Sequence, residues 1–348
     1  MKRLISIFLT FLFLLGTLCG CGTGARKTDK KDSDKLRIIA TLFPQYDFAR
    51  QIAGDKAEIT LLLPPGMESH SFEPTPGDII AIQESDIFLY TGDQMEPWVA
   101  NIASNAPDSL LVADLSEGIT LCKEEHDHDH ETEEEHDHEV EDHDHEAEEE
   151  HEHETGNHDH EADEVSHEGH NHEYNPHIWT SPVLAMKMVE NVTQALCQAD
   201  PANEDFYLEN AQDYLAKLDN LDQTFREIVS EGQQDTLYIG SRFSLYYFME
   251  EYGLHYVAAY DSCEEEAEPS IKRVVSMIES MRDSHVTAIY YEELVEPYIA
   301  NTIAEATDAE PLLFHTCHNL SKDELESGAT YLSLMEQNAK NLKKGLQK

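Results

Sequence analysis

Fourteen histidines and 25 carboxylates, with no Lys or Arg among them, fill positions 124–173 of a 348-residue chain. The histidines are His126, His128, His130, His136, His138, His143, His145, His151, His153, His158, His160, His167, His170 and His172. Imidazole and carboxylate are the side chains that bind borderline divalent metals, zinc above all. With almost no apolar groups, such a stretch cannot bury enough surface to offset chain entropy, so a disordered insertion is expected. Acids alone would make a solvated linker. Histidine adds no solubility at neutral pH, and its alternation with acids reads instead as a low-affinity metal arm. The register then changes abruptly to Tyr174-Asn175-Pro176-His177-Ile178-Trp179. Here a single His is tethered by Pro and flanked by bulky apolar groups, which suits a fixed site beside the arm.

In open parallel sheets, ligands bind beyond the carboxyl ends of the strands, so the loops that follow expected strands are where a site belongs. A proline-framed loop, Pro64-Pro65-Gly66-Met67-Glu68-Ser69-His70-Ser71-Phe72-Glu73-Pro74, presents His70. Gly240-Ser241-Arg242-Phe243 follows the first strand of the second half. Asp261-Ser262-Cys263 leads an acidic run through Glu268, and His315-Thr316-Cys317-His318 follows the last strand. Together with His177, these loops form a constellation of imidazoles in a chain that already carries a histidine arm.

The elements that must position them alternate. Continuous apolar strands are expected at 36–42, 58–63, 86–90 and 110–113, with helices at 46–52, 78–84 and 96–103 between them. Such alternation argues for an α/β fold with a parallel sheet covered on both faces. After the arm, Ser181-Pro182 supplies an N-cap and an N1 proline for a helix to about 199. Asp200-Pro201 repeats the device for a helix to about 230, with apolar groups at Phe206, Leu208, Leu215, Leu218, Leu221 and Phe225. Some 30 residues is about 45 Å of helix, long for a globular protein. Strands then recur at 236–239, 255–259, 286–291 and 312–315, helices at 245–252, 269–281 and 297–306, and an amphipathic helix closes the chain at 331–346. The expected architecture is two α/β lobes with parallel sheets joined by one long rigid helix, with the site in the cleft between them. The expected boundaries are a leader at 1–20, a tether at 21–35, an N-terminal lobe at 36–202 containing the insertion 123–173, a linking helix at 203–231 and a C-terminal lobe at 232–348.

The first residues, Lys2-Arg3 followed by an apolar run to Leu18, have the form of a secretory signal, too short to span a bilayer. Leu18-Cys19-Gly20-Cys21 resembles a bacterial lipobox, which implies a lipid on Cys21 and a protein anchored outside the bacterial membrane. The formal charge is −48, and about −23 of it lies outside the arm. An acidic surface of this kind argues against nucleic acid, which needs a basic footprint. Cys122, Cys197, Cys263 and Cys317 remain in the exported part. Cys263 and Cys317 share the strand-end loops of the second lobe, so a disulfide between them is expected. The competing role for Cys317 is a thiolate zinc ligand. No His-Glu-x-x-His or positioned general base is present, so the chain is read as a binding protein and not an enzyme.

The loop 63–74, Pro176-His177-Ile178-Trp179 with Pro182, the segment Tyr247–Leu254 and the tail Tyr331–Asn338 resemble the zinc/manganese solute-binding lipoproteins of ABC transporters. The resemblance runs from Leu36 to the C-terminus and includes the acidic histidine insertion typical of zinc-selective members. It implies two lobes, a connecting helix and one metal in the cleft, with His70 and His177 as the N-lobe ligands. It implies a third ligand at position 242, but Arg242 has no lone pair for a metal. The fourth falls at His315. The expected core is therefore His70, His177 and His315 around Zn²⁺, completed by water or by a carboxylate such as Glu68 or Glu268. Arg242 would orient an acid behind the ligands, and Cys317 and His318 are further candidates. The partners implied are an ABC permease and its ATPase, with a monomeric capture subunit. A manganese importer and a permease-independent surface zinc buffer or adhesin are the alternatives.

Overall fold

The computed structural model describes residues 35–123, 174–260 and 269–347. The leader, Cys21, the histidine arm, Cys263 and Glu268 lie outside the described residues.

The N-terminal sheet contains β1 (Leu36–Ala40), β2 (Ala57–Leu61), β3 (Ile87–Tyr90) and β4 (Leu111–Asp114), all parallel in the order β2-β1-β3-β4. Ile38 on β1 registers with Ile59 and Ile87, and Ile38, Ile87, Phe88 and Leu89 are buried. Unbroken apolar runs suit strands covered on both faces. The covering helices of this lobe are α1 (Phe43–Ala53), α2 (Pro76–Gln83), α3 (Val99–Ala103) and α4 (Pro182–Ala199). Ser181 caps α4 by accepting from the Leu184 N–H, with Pro182 at the first position, as its sequence requires.

The long helix is α5, Glu204–Glu231, 28 residues or about 42 Å. Its buried stripe is Tyr207, Ala211, Tyr214, Leu218, Leu221, Phe225 and Ile228. The stripe alternates steps of four and three, a seam that faces α1 and α4 of the first lobe and α10 (Tyr331–Leu346) of the second. Leu208, one of the apolar groups of this helix, is 50% exposed, because the seam fixed by Leu218, Leu221 and Phe225 runs back through the tyrosines.

The C-terminal sheet repeats the topology. It holds β5 (Thr236–Ile239), β6 (His255–Ala258), β7 (Ala288–Tyr291) and β8 (Glu310–Leu313) in the parallel order β6-β5-β7-β8. Around it lie α6 (Tyr246–Tyr252), α7 (Ile271–Asp283), α8 (Tyr298–Thr307), the short α9 (Lys322–Ser327) and α10. Gly240, at the end of β5, lets α8 approach: a Cβ there would stand 2.7 Å from Ala300 Cα. That close packing sets where the loop bearing Arg242 leaves the sheet.

The lobes are stapled through the loop after β8. The Gly66 N–H donates to Leu320 O at 2.8 Å, and the Asn319 amide donates to the carbonyls of Pro64 and Met67. Trp179, fully buried, donates its indole N–H to Thr316 O at 2.9 Å and accepts at its own carbonyl from Tyr331 Oη. The two loops that face each other across the cleft are therefore held by backbone and indole hydrogen bonds before any ligand arrives.

Candidate metal centre

His70, His177 and His318 converge in the cleft, their ligand nitrogens all within 4.8 Å of one another. Each is delivered by a different device. His70 ends a turn folded around Glu68, whose Oε1 accepts from the backbone N–H groups of Ser69 (3.0 Å) and His70 (3.1 Å). His177 sits between Pro176 and a 3-10 turn at Ile178–Thr180, packed edge-on against Trp179. His318 closes the loop that the Asn319 amide ties to the His70 loop.

Hydrogen bonds set the tautomers. Asn175 Oδ1 accepts from the His177 backbone N–H (3.1 Å) and lies 3.0 Å from its Nδ1, so Nδ1 carries the hydrogen and Nε2 the lone pair. Thr316 Oγ1 donates to the Glu293 carboxylate at 2.6 Å. Its only hydrogen being spent there, it accepts from His318 Nδ1 at 2.5 Å, which again frees Nε2. The Nε2 atoms of His70 and His177 stand 3.2 Å apart. Two imidazole nitrogens at tetrahedral positions on one zinc would be about 3.4 Å apart for bonds near 2.0–2.1 Å. Burial, with the neighbouring His70 and the Arg242 charge, pushes His318 down to about 3, so its lone pair is available throughout the neutral range. The His70–His177 pair is already close to that spacing, and the imidazole donor set suits a zinc ion.

His315, expected as the third imidazole, points elsewhere. Its backbone is clamped by Asn338, which accepts from the His315 N–H and donates to its carbonyl, both at 2.7 Å. Its Nδ1 accepts from the Cys317 N–H, and Nε2 lies 3.5 Å from Glu324 of α9. Burial opposes its charge, but Glu293 and Glu324 outweigh burial and push its pKa up. The reason for the exchange is local. Cys317 adopts a left-handed backbone, φ 63°, which reverses the chain so that His318 and not His315 faces the N-lobe. No propensity marks a Cys for that conformation. A second His three residues on was the available signal.

Cys317 is a fully buried free thiol, pushed well up by burial, and stands apart from the three-histidine group. Neither the thiolate ligand nor its half of a disulfide with Cys263 is formed, and Cys263 itself lies outside the described residues. Glu68 and Arg242 do meet. Arg242 Nη2 donates to Glu68 Oε2 at 3.1 Å and its Nε to Glu292 Oε1 at 2.9 Å, so one guanidinium joins the N-lobe loop to the end of β7. For Glu68, burial works against the charge, but the His70 N–H and Arg242 overcome it and hold the carboxyl down at about 2. Both Glu68 oxygens are thereby engaged, and Glu68 is not a member of the three-histidine group. Glu292 goes the other way: burial pushes it up to about 7 although Arg242 pulls against it.

Two lobes of like topology, a spanning helix and a cleft that converges three imidazoles define a metal-binding solute receptor. Matches to known proteins agree. The family described as "Zinc-uptake complex component A periplasmic" (ZnuA) matches residues 38–345. The high-affinity zinc uptake system protein ZnuA of Bacillus subtilis is 33% identical over 96% of this chain and 94% of its own length. The zinc-binding lipoprotein AdcA of Streptococcus pneumoniae is 30% identical over 95% of this chain, which spans 60% of that longer relative. Among solved structures, the metal-dependent lipoprotein YcdH of Bacillus subtilis aligns with a TM-score of 0.70 at 28% identity, covering 90% of this chain and 99% of that one. The Zn(II)-bound ZnuA-like domain of AdcA aligns at 0.68 and 26%, covering 90% of this chain and all of that one. The chain belongs to the ZnuA family of zinc-uptake components.

Proposed function

We propose that this chain is the extracytoplasmic capture subunit of an ABC zinc importer, holding Zn²⁺ through the Nε2 atoms of His70, His177 and His318. The observation that carries the reading is the convergence of three imidazoles, two of which have their tautomers set, His177 by Asn175 and His318 by Thr316. Its partners would be a membrane permease and its ATPase, and it performs no chemistry on the metal. Imidazole donors favour zinc over manganese, which prefers oxygen-rich sites. Support for a lipid anchor at Cys21 comes from the lipobox-like sequence, and for a zinc-gathering arm from the histidines at 126–172. Glu268, Glu68 and water were the candidates to complete the tetrahedron; the hydrogen bonding of Glu68 favours a ligand from solution.

The test is competition with a strong chelator, which reads the tight site in the presence of the arm. His318→Ala is expected to weaken zinc binding well beyond 100-fold, since even partners behind a ligand are worth roughly 10–100-fold. His315→Ala is expected to keep the affinity within about threefold while lowering the melting temperature through its lost buried partners. The reverse pattern would return the third ligand to His315.

A further inference from the structure

A cavity of about 40 Å³ opens beside the three histidines, lined among others by His70, His318, Glu68, Arg242, Ser244 and Glu292. Three of these residues carry a buried polar atom without a hydrogen-bond partner: His318 Nε2, Arg242 Nη1 and Ser244 Oγ. Buried polar groups are ordinarily paired, and each exception asks for a reason. A metal accounts for the first. The other two belong to a guanidinium, which can only donate, and a hydroxyl, and among the described residues no acceptor serves either.

Lone-pair counting says what completes the set. A water bound to zinc through one lone pair has a single lone pair left, and its two hydrogens need acceptors of their own. Ser244 Oγ can accept one of those hydrogens, but the single lone pair left can take only one of the two hydrogens on Arg242 Nη1. A carboxylate-type oxyanion binds the metal through one oxygen and keeps lone pairs on the other for both an N–H and an O–H. Glu68 would be the protein's own candidate, but its Oε1 accepts from Ser69 and His70 and its Oε2 from Arg242 Nη2, so the one lone pair left on Oε2 could reach the metal or an orphaned donor but not both. The volume suits a guest of very few atoms, given that one water needs some 10–15 Å³ on the same measure.

We propose that this cavity is a small-oxyanion site, in which bicarbonate or a short carboxylate takes the fourth position on the bound zinc and is gripped by Arg242 Nη1 and Ser244 Oγ. The proposal rests on the three-histidine reading above. Charge makes the guest conditional on the metal. Without zinc the carboxylates of Glu68, Glu292 and Glu293 outnumber Arg242, and an anion is repelled; the dication reverses the balance. Zinc and anion are therefore mutually cooperative, and by linkage the factor by which zinc raises anion affinity equals the factor by which anion raises zinc affinity. Such a receptor would load best where bicarbonate or carboxylate is abundant.

The experiment is zinc–chelator competition on the mature full-length chain in carbonate-free buffer, with bicarbonate, formate or chloride added in separate arms, and ¹³C NMR of labelled bicarbonate with and without zinc. The expected result is about tenfold tighter zinc binding with bicarbonate or formate than with chloride, and a shifted ¹³C signal only in the zinc-loaded protein. Ser244→Ala, which touches no metal ligand, should bind zinc in carbonate-free buffer as the parent does but lose most of the anion effect. Arg242→Lys, which keeps the charge but loses the fork, should also lose most of the anion effect. Enhancement by bicarbonate alone would assign the site to inorganic carbonate, and enhancement by both would assign it to the carboxylate class. Equal zinc affinity in every buffer, without a bound ¹³C signal, would overturn the proposal and leave the histidine site standing. Zinc affinity indifferent to His318→Ala would instead remove the reading on which it rests.

Discussion

Both sheets run in the same order, and in each a buried glutamate follows the third strand and meets the residues that follow the first. In the N-lobe it is Glu96, which accepts from Thr41 Oγ1, the Gln45 amide and the Thr91 N–H. In the C-lobe it is Glu292, which accepts from Arg242 Nε and whose own N–H donates to Ser241. The position is the crevice where strand order reverses, the place at which open α/β sheets put their ligands. One lobe fills the crevice with a buried, hydrogen-bonded acid whose charge burial disfavours, and makes it part of the core. The other fills it with an ion pair that reaches across to Glu68. Burial pushes Glu96 up to about 8, with no cation in contact to oppose it. The same topology thus yields a structural plug in one lobe and half of a binding cleft in the other, and the difference is a single guanidinium.

Removing that guanidinium is the strongest way to break the comparison. Arg242→Ala leaves Glu68 and Glu292 facing each other with no counter-charge, and stability of the metal-free protein is expected to fall by about 3 kcal/mol. Zinc should restore much of the loss, because the dication supplies charge near Glu68. Urea unfolding with and without zinc measures both; a variant as stable as the parent would mean that the pair is mere surface decoration.

Glu96 sharpens the other side. Its folded pKa, about 8, lies above its unfolded value of about 4.5. Between those values the unfolded chain has lost the proton and the native protein keeps it. Stability must therefore fall as pH rises from 4.5 to 8, and no such penalty exists below 4.5. Glu96→Gln keeps a neutral side chain of the same shape and is expected to flatten the profile, gaining on the order of 2 kcal/mol over the parent at pH 8 relative to pH 5. Melting temperatures across that range decide it, and parallel profiles would show that Glu96 is ionised in the folded protein.

The smallest effect compares the two locks on the imidazoles. Asn175→Ala in the N-lobe and Thr316→Val in the C-lobe each release one histidine from its tautomer while leaving the ligand itself. Each is expected to weaken zinc about tenfold. The Tyr247 hydroxyl, which donates to the backbone carbonyl of Asn175 at 2.7 Å, is kept in Asn175→Ala, so a much larger loss for that variant would mean that the Asn175 side chain does more than hold the tautomer.

Much of this fold is legible without coordinates, because its signals are local. Apolar runs of strand length, the Ser181-Pro182 start of α4, and the length of α5 follow from periodicity and capping within a few residues. Strand-end loops were also enough to draw attention to His70, His177, Arg242 and the segment 315–318. What tertiary structure alone decided was selection within those loops. Two histidines three residues apart in one segment are equivalent by composition. The left-handed turn at Cys317 and the Asn338 clamp, 23 residues away from His315, bury one and turn the other into the cleft. The partners of Arg242 are likewise 174 and 50 residues distant, and Thr41 meets Glu96 across 55. Periodicity and capping act over a turn or a strand, so they specify the elements. Hydrogen bonds between residues that only the folded chain makes neighbours specify which side chains those elements present in the cleft.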